Sequence, residues 1–368
     1  MKEYNKHGIL LFLAWFVTQI VWYSYTGGIF LQEEAIVYTN IANRIGQSDF
    51  AISIHFWLYA GYIAPLVLLK LLGLSFGWMY LFQLALSLGA LWAFYKILQH
   101  LGFSPEIIFI GSLLYATCPF IQSWNVYLYT DALYSHGVVI LLYFLVTIKE
   151  VSAGSFSIIS CMVLLLSFTR PPGFLLFLVA ICFYMALKCK KKWISISVLF
   201  AIFFMVAGGV LYFIKTGTNF YYANHNLEQN IICGLPSNLK QYEITLFENE
   251  MNPYFYLLKN PELTIRLFAS RLYKSLWMTR PYFSQSHNIF IIITTLIYYL
   301  PAIGGLLFSL FKRKYNFYPI AAAMLILLLP NMLLCADWHN RFMAPILPFL
   351  LVFTALGLQS GSKLLKNQ

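Results

Sequence analysis

The sequence predicts an all-α polytopic membrane protein of about ten transmembrane helices, with both termini on the inner side. Three observations lead there. Hydrophobic residues make up 60% of the 368 and charged residues 10%, and the mean hydropathy of +0.72 lies far above that of a soluble domain. Apolar runs recur at the roughly 20-residue length that crosses a bilayer. Basic residues gather on alternate connections, which is the positive-inside pattern. No internal repeat or low-complexity stretch divides the chain, so 1–368 reads as one transmembrane domain.

Taken in order, spans are expected at about 8–27, 76–95, 107–124, 131–148, 156–169, 171–187, 193–213, 289–310, 318–336 and 343–359. Residues 1–27 lack a small-residue cleavage site, so they read as a retained helix rather than a signal peptide. The segments 156–169 and 171–187 are short and separated by Arg170-Pro171-Pro172. With the N-terminus inside, inner segments hold Lys2, Lys6, Lys96, Lys149, Lys188, Lys190-Lys191-Lys192, Lys312-Arg313-Lys314, Lys363 and Lys366. The short outer connections hold only Arg170 and Arg341, and the longer first one Arg44 and Lys70. The net charge of +11 therefore reports membrane orientation and not nucleic-acid binding. Of the 13 acids, Glu3, Glu106 and Glu150 fall inside and the other ten outside, which puts the chemistry on the outer side. The six cysteines show no CxxC or metal spacing, and most fall in apolar spans. The absence of an Asn-x-Ser/Thr acceptor favours a bacterial inner-membrane protein.

Two outer loops stand out, near 28–75 and 214–288. The first opens with a surface helix over 33–46. It then passes through an apolar stretch, 55–73, interrupted by Gly61 and Pro65, which is expected to lie in or dip into the membrane rather than span it. The second carries an amphipathic stretch with Ile265, Phe268, Leu272 and Leu276 on one face. Arg266, Ser270, Arg271 and Lys274 lie opposite, the pattern of a helix resting on anionic headgroups.

Glu33 and Glu34 are adjacent acids at the edge of the first span, a position where carboxylates are rare without function. Helical phase separates them. Glu34 shares a face with Ala35, Val37, Tyr38, Ile41, Ala42 and Ile45, whereas Glu33 points toward the polar side and reads as solvated support. A carboxylate on an apolar stripe is desolvated, which suits a general base; the alternative is a simple pairing with a basic residue. Asp131, at the outer end of the fourth span, is either a helix N-cap or a site carboxylate able to orient an acceptor or hold a divalent cation. Arg170, Arg280 and Arg341 sit outside against the charge trend. Each either snorkels to headgroups or supplies a guanidinium fork for phosphate. Arg341, near Asp337 and His339, is the strongest of the three. His287 and His339 are further polar candidates, as is His55, and no metal site is defined.

The spacing Glu34, Tyr38, Ala42 resembles the acidic-x-x-x-Tyr-x-x-x-Ala signature in the first outer loop of the GT-C glycosyltransferases. These are membrane enzymes that use polyprenyl-phosphate sugars; protein O-mannosyltransferases and lipid A aminoarabinose transferases are among them. Tyr59-Ala60-Gly61-Tyr62 through Leu71-Leu72-Gly73 is similar to the family's membrane-lying segment. Thr130-Asp131-Ala132-Leu133, Thr169-Arg170-Pro171-Pro172-Gly173 and Asn340-Arg341 through Pro345 and Pro348 resemble its fourth-span acid, its Arg-Pro turn and the basic residue before its last spans. The chain departs in carrying Glu where the family most often has Asp, and Phe56-Trp57 where some members have an acidic-basic pair.

The resemblance implies transfer of a monosaccharide, with inversion, from a polyprenyl-phosphate donor to a hydroxyl of a lipid, glycan or protein acceptor on the extracytoplasmic side. Glu34 would be the base, Asp131 its support, and Arg341 with Arg170 or Arg280 the phosphate ligands. Two alternatives are a flippase or transporter of lipid-linked sugars and a ligase using a polyprenyl-pyrophosphate donor. The near absence of mid-span charge speaks against transport.

Overall fold

The computed structural model describes residues 2–45, 47, 54–187, 193–194, 196–201, 203–204, 231–233, 260–336 and 340–366. These are helical, and no strand occurs among them; the only extended pairings there are isolated bridges, Phe30 with Tyr127 and Ile232 with Ala336. The helices are α1 (Lys2–Tyr25), α2 (Glu34–Arg44), α3 (Ile54–Leu58), α4 (Ala60–Leu71), α5 (Gly77–His100), α6 (Pro105–Ala116) and α7 (Pro119–Gln122). They continue with α8 (Thr130–Thr147), α9 (Ala153–Thr169), α10 (Leu176–Ala186), α11 (Pro261–Trp277), α12 (Gln285–Phe311), α13 (Tyr318–Leu333) and α14 (Leu347–Lys366).

Among the described residues five helices are long and apolar enough to cross a bilayer. They are Lys6–Tyr25, α5, α8, α12 and Tyr315–Leu333, and the α6–α7 pair makes a sixth if its 47° bend is one broken span. The ten apolar runs of the sequence are therefore not ten long helices. Hydropathy does not register where a run breaks: Pro119 bends the third, Pro171 and Pro172 open a 3₁₀ turn between α9 and α10, and α9 stops after 17 residues. The expected span 193–213 lies mostly outside the described residues.

The membrane-dipping stretch folds as two short helices. At 12 residues, or about 18 Å, α4 is too short to cross. It ends where Gly73 takes φ 69° while Leu74 N–H bonds Leu69 O, a left-handed stop that glycine adopts without penalty. It lies against α9 through Gly61, where a Cβ would come within 2.6 Å of Thr169 Oγ1 and 2.7 Å of Leu165 O.

The long helices pack as neighbours: α5 on α8, α8 on α9, α10 on α13, and α12 along α14. The last contact is closest where Gly305 and Gly357 bring two backbones together, the small-residue packing of helices in lipid. A polar seam holds α1 to the bundle. Trp15 Nε1 donates to Ser87 Oγ (3.0 Å), Ser87 to Gln122 Oε1 (2.9 Å), and Asn125 Nδ2 to Gln19 Oε1 (3.0 Å). Asn125 Oδ1 accepts from His136 Nε2 (2.8 Å), which leaves His136 Nδ1 to accept from Tyr115 OH (2.9 Å). Unpaired polar groups are costly in hydrocarbon, so this seam specifies which helices adjoin.

The amphipathic helix α11 does not keep the two expected faces apart: Arg266 is exposed and Leu276 packs on the core, but Arg271 and Ile265 exchange places. Leu267, Arg271 and Ser275 face the protein, with Arg271 fully buried, while Ile265 is 70% exposed. Arg271 Nη1 donates to Leu333 O (2.6 Å), satisfying a carbonyl that the end of α13 would otherwise leave open. In a bilayer the outward solvent is lipid, so an inward guanidinium and an outward isoleucine are both matched to their surroundings.

Candidate functional site

A small core separate from the main bundle builds the site. Ala35, Tyr38 and Ala42 of α2 pack with Tyr62, Ile63 and Leu66 of α4, joined by Trp124, Leu128, Tyr129, Ala132 and Ala344. The Glu34-Tyr38-Ala42 face thus turns inward, although Val37 on the same predicted stripe is exposed.

Two ion pairs meet here. Arg341 Nη1 donates to Glu34 Oε1 at 2.5 Å, across 307 residues of sequence, and Arg170 Nη1 pairs with Asp131 Oδ1. Both guanidiniums face one ring: Arg170 Cζ lies 5.0 Å and Arg341 Cζ 5.4 Å from the centroid of Phe342. Tyr59 lies in the field of all four charges. Burial raises its pKa, Arg170 and Arg341 oppose that, and Glu34 and Asp131 add to it.

The surroundings of the four differ. The Asp131 side chain is fully buried and that of Arg170 7% exposed, whereas Glu34 is 37% and Arg341 18% exposed. The expected desolvated Glu34 is therefore not found; it stands at the rim, neutralised by Arg341. Tyr38 OH donates to Glu34 Oε2 (3.2 Å). Burial first, then the Glu34 carboxylate, raises the Tyr38 pKa, so the phenol stays a donor. Asp131 does not cap α8, whose N-cap is Tyr129. It occupies the first turn instead, at the positive end of α8, while Arg170 ends α9 at its negative end. The buried pair thus complements both helix dipoles.

Glu33 is exposed but not idle. It sits at φ 53°, an unfavourable backbone for a residue with a Cβ, and its Oε2 accepts from Tyr129 OH at 3.0 Å. Burial, then that hydrogen bond, raises the Tyr129 pKa.

Arg280, expected as a phosphate ligand, is buried at the end of α11. Its Nη1 donates to Lys274 O and Thr279 O, both at 2.9 Å, so the guanidinium serves the end of α11. The adjoining Met278 O accepts from Asn340 Nδ2 (2.9 Å), and this contact anchors the turn that carries Arg341. His287 stacks on Phe283 at 4.3 Å in the first turn of α12. Asp337, His339 and the side chain of His55 lie outside the described residues. Among the described residues no three His, Cys, Asp or Glu side chains gather to hold a metal.

Sequence reasoning missed Phe342, Tyr59 and Tyr129, and also the Cys233–Cys335 disulfide, which ties the 214–288 stretch to the segment leading into Arg341. Cys233 N–H also bonds Ala336 O at 3.0 Å. Phe342 was marked only by adjacency to Arg341. No family model, curated protein or solved structure matches the chain.

Proposed function

We propose that the chain is a GT-C-type glycosyltransferase of about ten spans, N-in and C-in, in a bacterial inner membrane, acting extracytoplasmically on a polyprenyl-phosphate sugar. The observation that carries the reading is the meeting of Glu34–Arg341 and Asp131–Arg170 over Phe342, because it joins carboxylates to guanidiniums suited to a phosphate. Two further facts support it. Glu34, Asp131, Arg170 and Arg341 all lie in segments assigned to the outer side by charge alone. A disulfide in the same outer region fits an oxidising compartment.

In the proposed reaction the acceptor oxygen attacks the anomeric carbon and loses its proton to Glu34. The bond from that carbon to the phosphate oxygen breaks, and its electron pair leaves with the polyprenyl phosphate, which Arg341 holds. Attack opposite the leaving group inverts the anomeric configuration. Asp131 fixes Arg170, which presents the second guanidinium. The test is sugar transfer from a panel of polyprenyl-phosphate and polyprenyl-pyrophosphate sugars in proteoliposomes. Glu34→Gln should abolish transfer while Glu33→Gln retains most of it. Undiminished transfer by Glu34→Gln overturns the assignment.

A further inference from the structure

We propose that the chain carries a second anion site, at the opposite end of the bundle, which takes the phosphate headgroup of an anionic phospholipid. A cavity of about 440 Å³ lies where three elements end: the turn after α5, the α12–α13 turn and the last turns of α14. It lies at the far ends of α5 and α14, which start beside Met79 and Ala344 of the small core that surrounds the ion pairs. The inference needs only that the chain spans a bilayer and does not rest on the proposed reaction.

The lining has two chemistries. Arg313, Lys314 and Asn316 are polar and exposed, and among the described residues no carboxylate lines the cavity. Among the described residues neither Arg313 nor Lys314 forms an ion pair. Gln359 also lines the cavity, its Oε1 accepting from Ser104 N–H at 3.0 Å. Beneath these lie Phe103, Phe308 and Phe317, with Phe103 and Phe317 edge to face at 6.0 Å.

Cations at the end of α12 have an ordinary reason, since they complement its dipole. That does not explain the backbone. Arg313 takes φ 49° at the left-handed position after α12, where Lys314 N–H closes back to Ser309 O. Glycine fills such a position without strain, so the chain holds a strained cation there. The apolar floor selects a lipid over a free anion. Leu307, Leu310 and Phe311 (80% exposed) continue it down the outside of α12, where acyl chains would lie. On the proposed topology this end is cytoplasmic, where basic pockets between helices meet anionic headgroups.

The test uses the full chain, delipidated in detergent and titrated with phosphatidylglycerol or phosphatidylcholine, with bound lipid counted by native mass spectrometry. Arg313→Gly combined with Lys314→Gln should weaken phosphatidylglycerol binding by about 30-fold, at roughly one surface charge's worth per residue. Arg313→Gly relieves the left-handed backbone, so thermal stability should hold or rise and unfolding is not the cause. Lys149→Gln, a basic residue outside the cavity, should leave binding unchanged. Equal loss in the Lys149→Gln control, or no loss in the double variant, overturns the site in favour of diffuse attraction. Inorganic phosphate and glycerol phosphate serve as soluble competitors. Failure to displace the lipid supports the headgroup reading, and full displacement by inorganic phosphate overturns it in favour of a free-anion site.

Discussion

Removing the proposed base should tighten phosphate binding. In the resting site Arg341 is engaged by Glu34 at 2.5 Å, so a phosphate that takes Arg341 must first displace that carboxylate. With side chains 18% and 37% exposed, the pair falls near the upper end of the range for accessible ion pairs, about 1 kcal/mol. Glu34→Gln removes the competing charge and its repulsion, so affinity for undecaprenyl phosphate should rise about fivefold. The assay is a titration of the purified chain in nanodiscs with undecaprenyl phosphate, at low salt because partly exposed charges are screened. Tyr38→Phe is the control. It removes the 3.2 Å hydrogen bond to Glu34 but keeps the carboxylate, so binding should not tighten. Arg341→Gln should weaken binding about tenfold by removing a charge-assisted contact. Binding and turnover would then move in opposite directions in Glu34→Gln, which a merely structural glutamate would not produce. Unchanged or weaker binding in Glu34→Gln refutes the competition. No binding by either protein refutes the donor class.

Other perturbations test the frame that holds the site. Asp131→Asn strands the buried Arg170 guanidinium and should cost about 3 kcal/mol in detergent unfolding, partly restored by adding Arg170→Gln. Gly61→Val places a side chain on Thr169 and Leu165 and should separate α4 from α9 at about 1–3 kcal/mol, read as a lower midpoint of thermal unfolding. Cys233→Ser opens a closure spanning 102 residues and should lower stability by about 2–4 kcal/mol, with loss of the shift between reducing and non-reducing gels. Burial and the Glu34 charge raise the Tyr38 pKa above the ordinary 10.0. Its contribution is therefore complete below pH 10.0 and lost as pH rises beyond it, so Tyr38→Phe should flatten the alkaline limb of the stability profile.

What the sequence disclosed follows from how local each signal is. Glu34 was legible because helical phase acts over one turn, and the same phase set Tyr38 and Ala42 on its face. Arg341 and Arg170 were legible as cations on the sparsely charged side, but their partners were not, since pairing across 307 residues leaves no local trace. Arg271 and Arg280 carry the same signal and do different work, satisfying the ends of α13 and α11. Which arginine pairs with a carboxylate and which serves a helix end depends on what packs nearby, and composition does not encode that. The helix breaks were hidden for the converse reason. Hydropathy averages over breaks at Pro119 and Pro171 that decide where a helix stops.

The charges of the site also suggest why it contains two carboxylates among its two arginines. At rest Glu34, Asp131, Arg170 and Arg341 sum to zero. A polyprenyl-phosphate sugar is a phosphodiester with one negative charge, and the departing phosphate monoester approaches two. In the proposed reaction Glu34 becomes neutral by taking the acceptor proton as that second charge develops. The site then passes from neutral to singly positive when the leaving group needs it, and Arg341 is released from its carboxylate in the same step. An interaction that strengthens only along the reaction lowers the barrier without holding the donor too tightly beforehand. A buried Glu34 without Arg341 would be a stronger base but would leave the phosphate opposed by an uncompensated charge. In the proposed reaction the rim position of Glu34, unexpected from its apolar stripe, is the one that couples proton uptake to phosphate release.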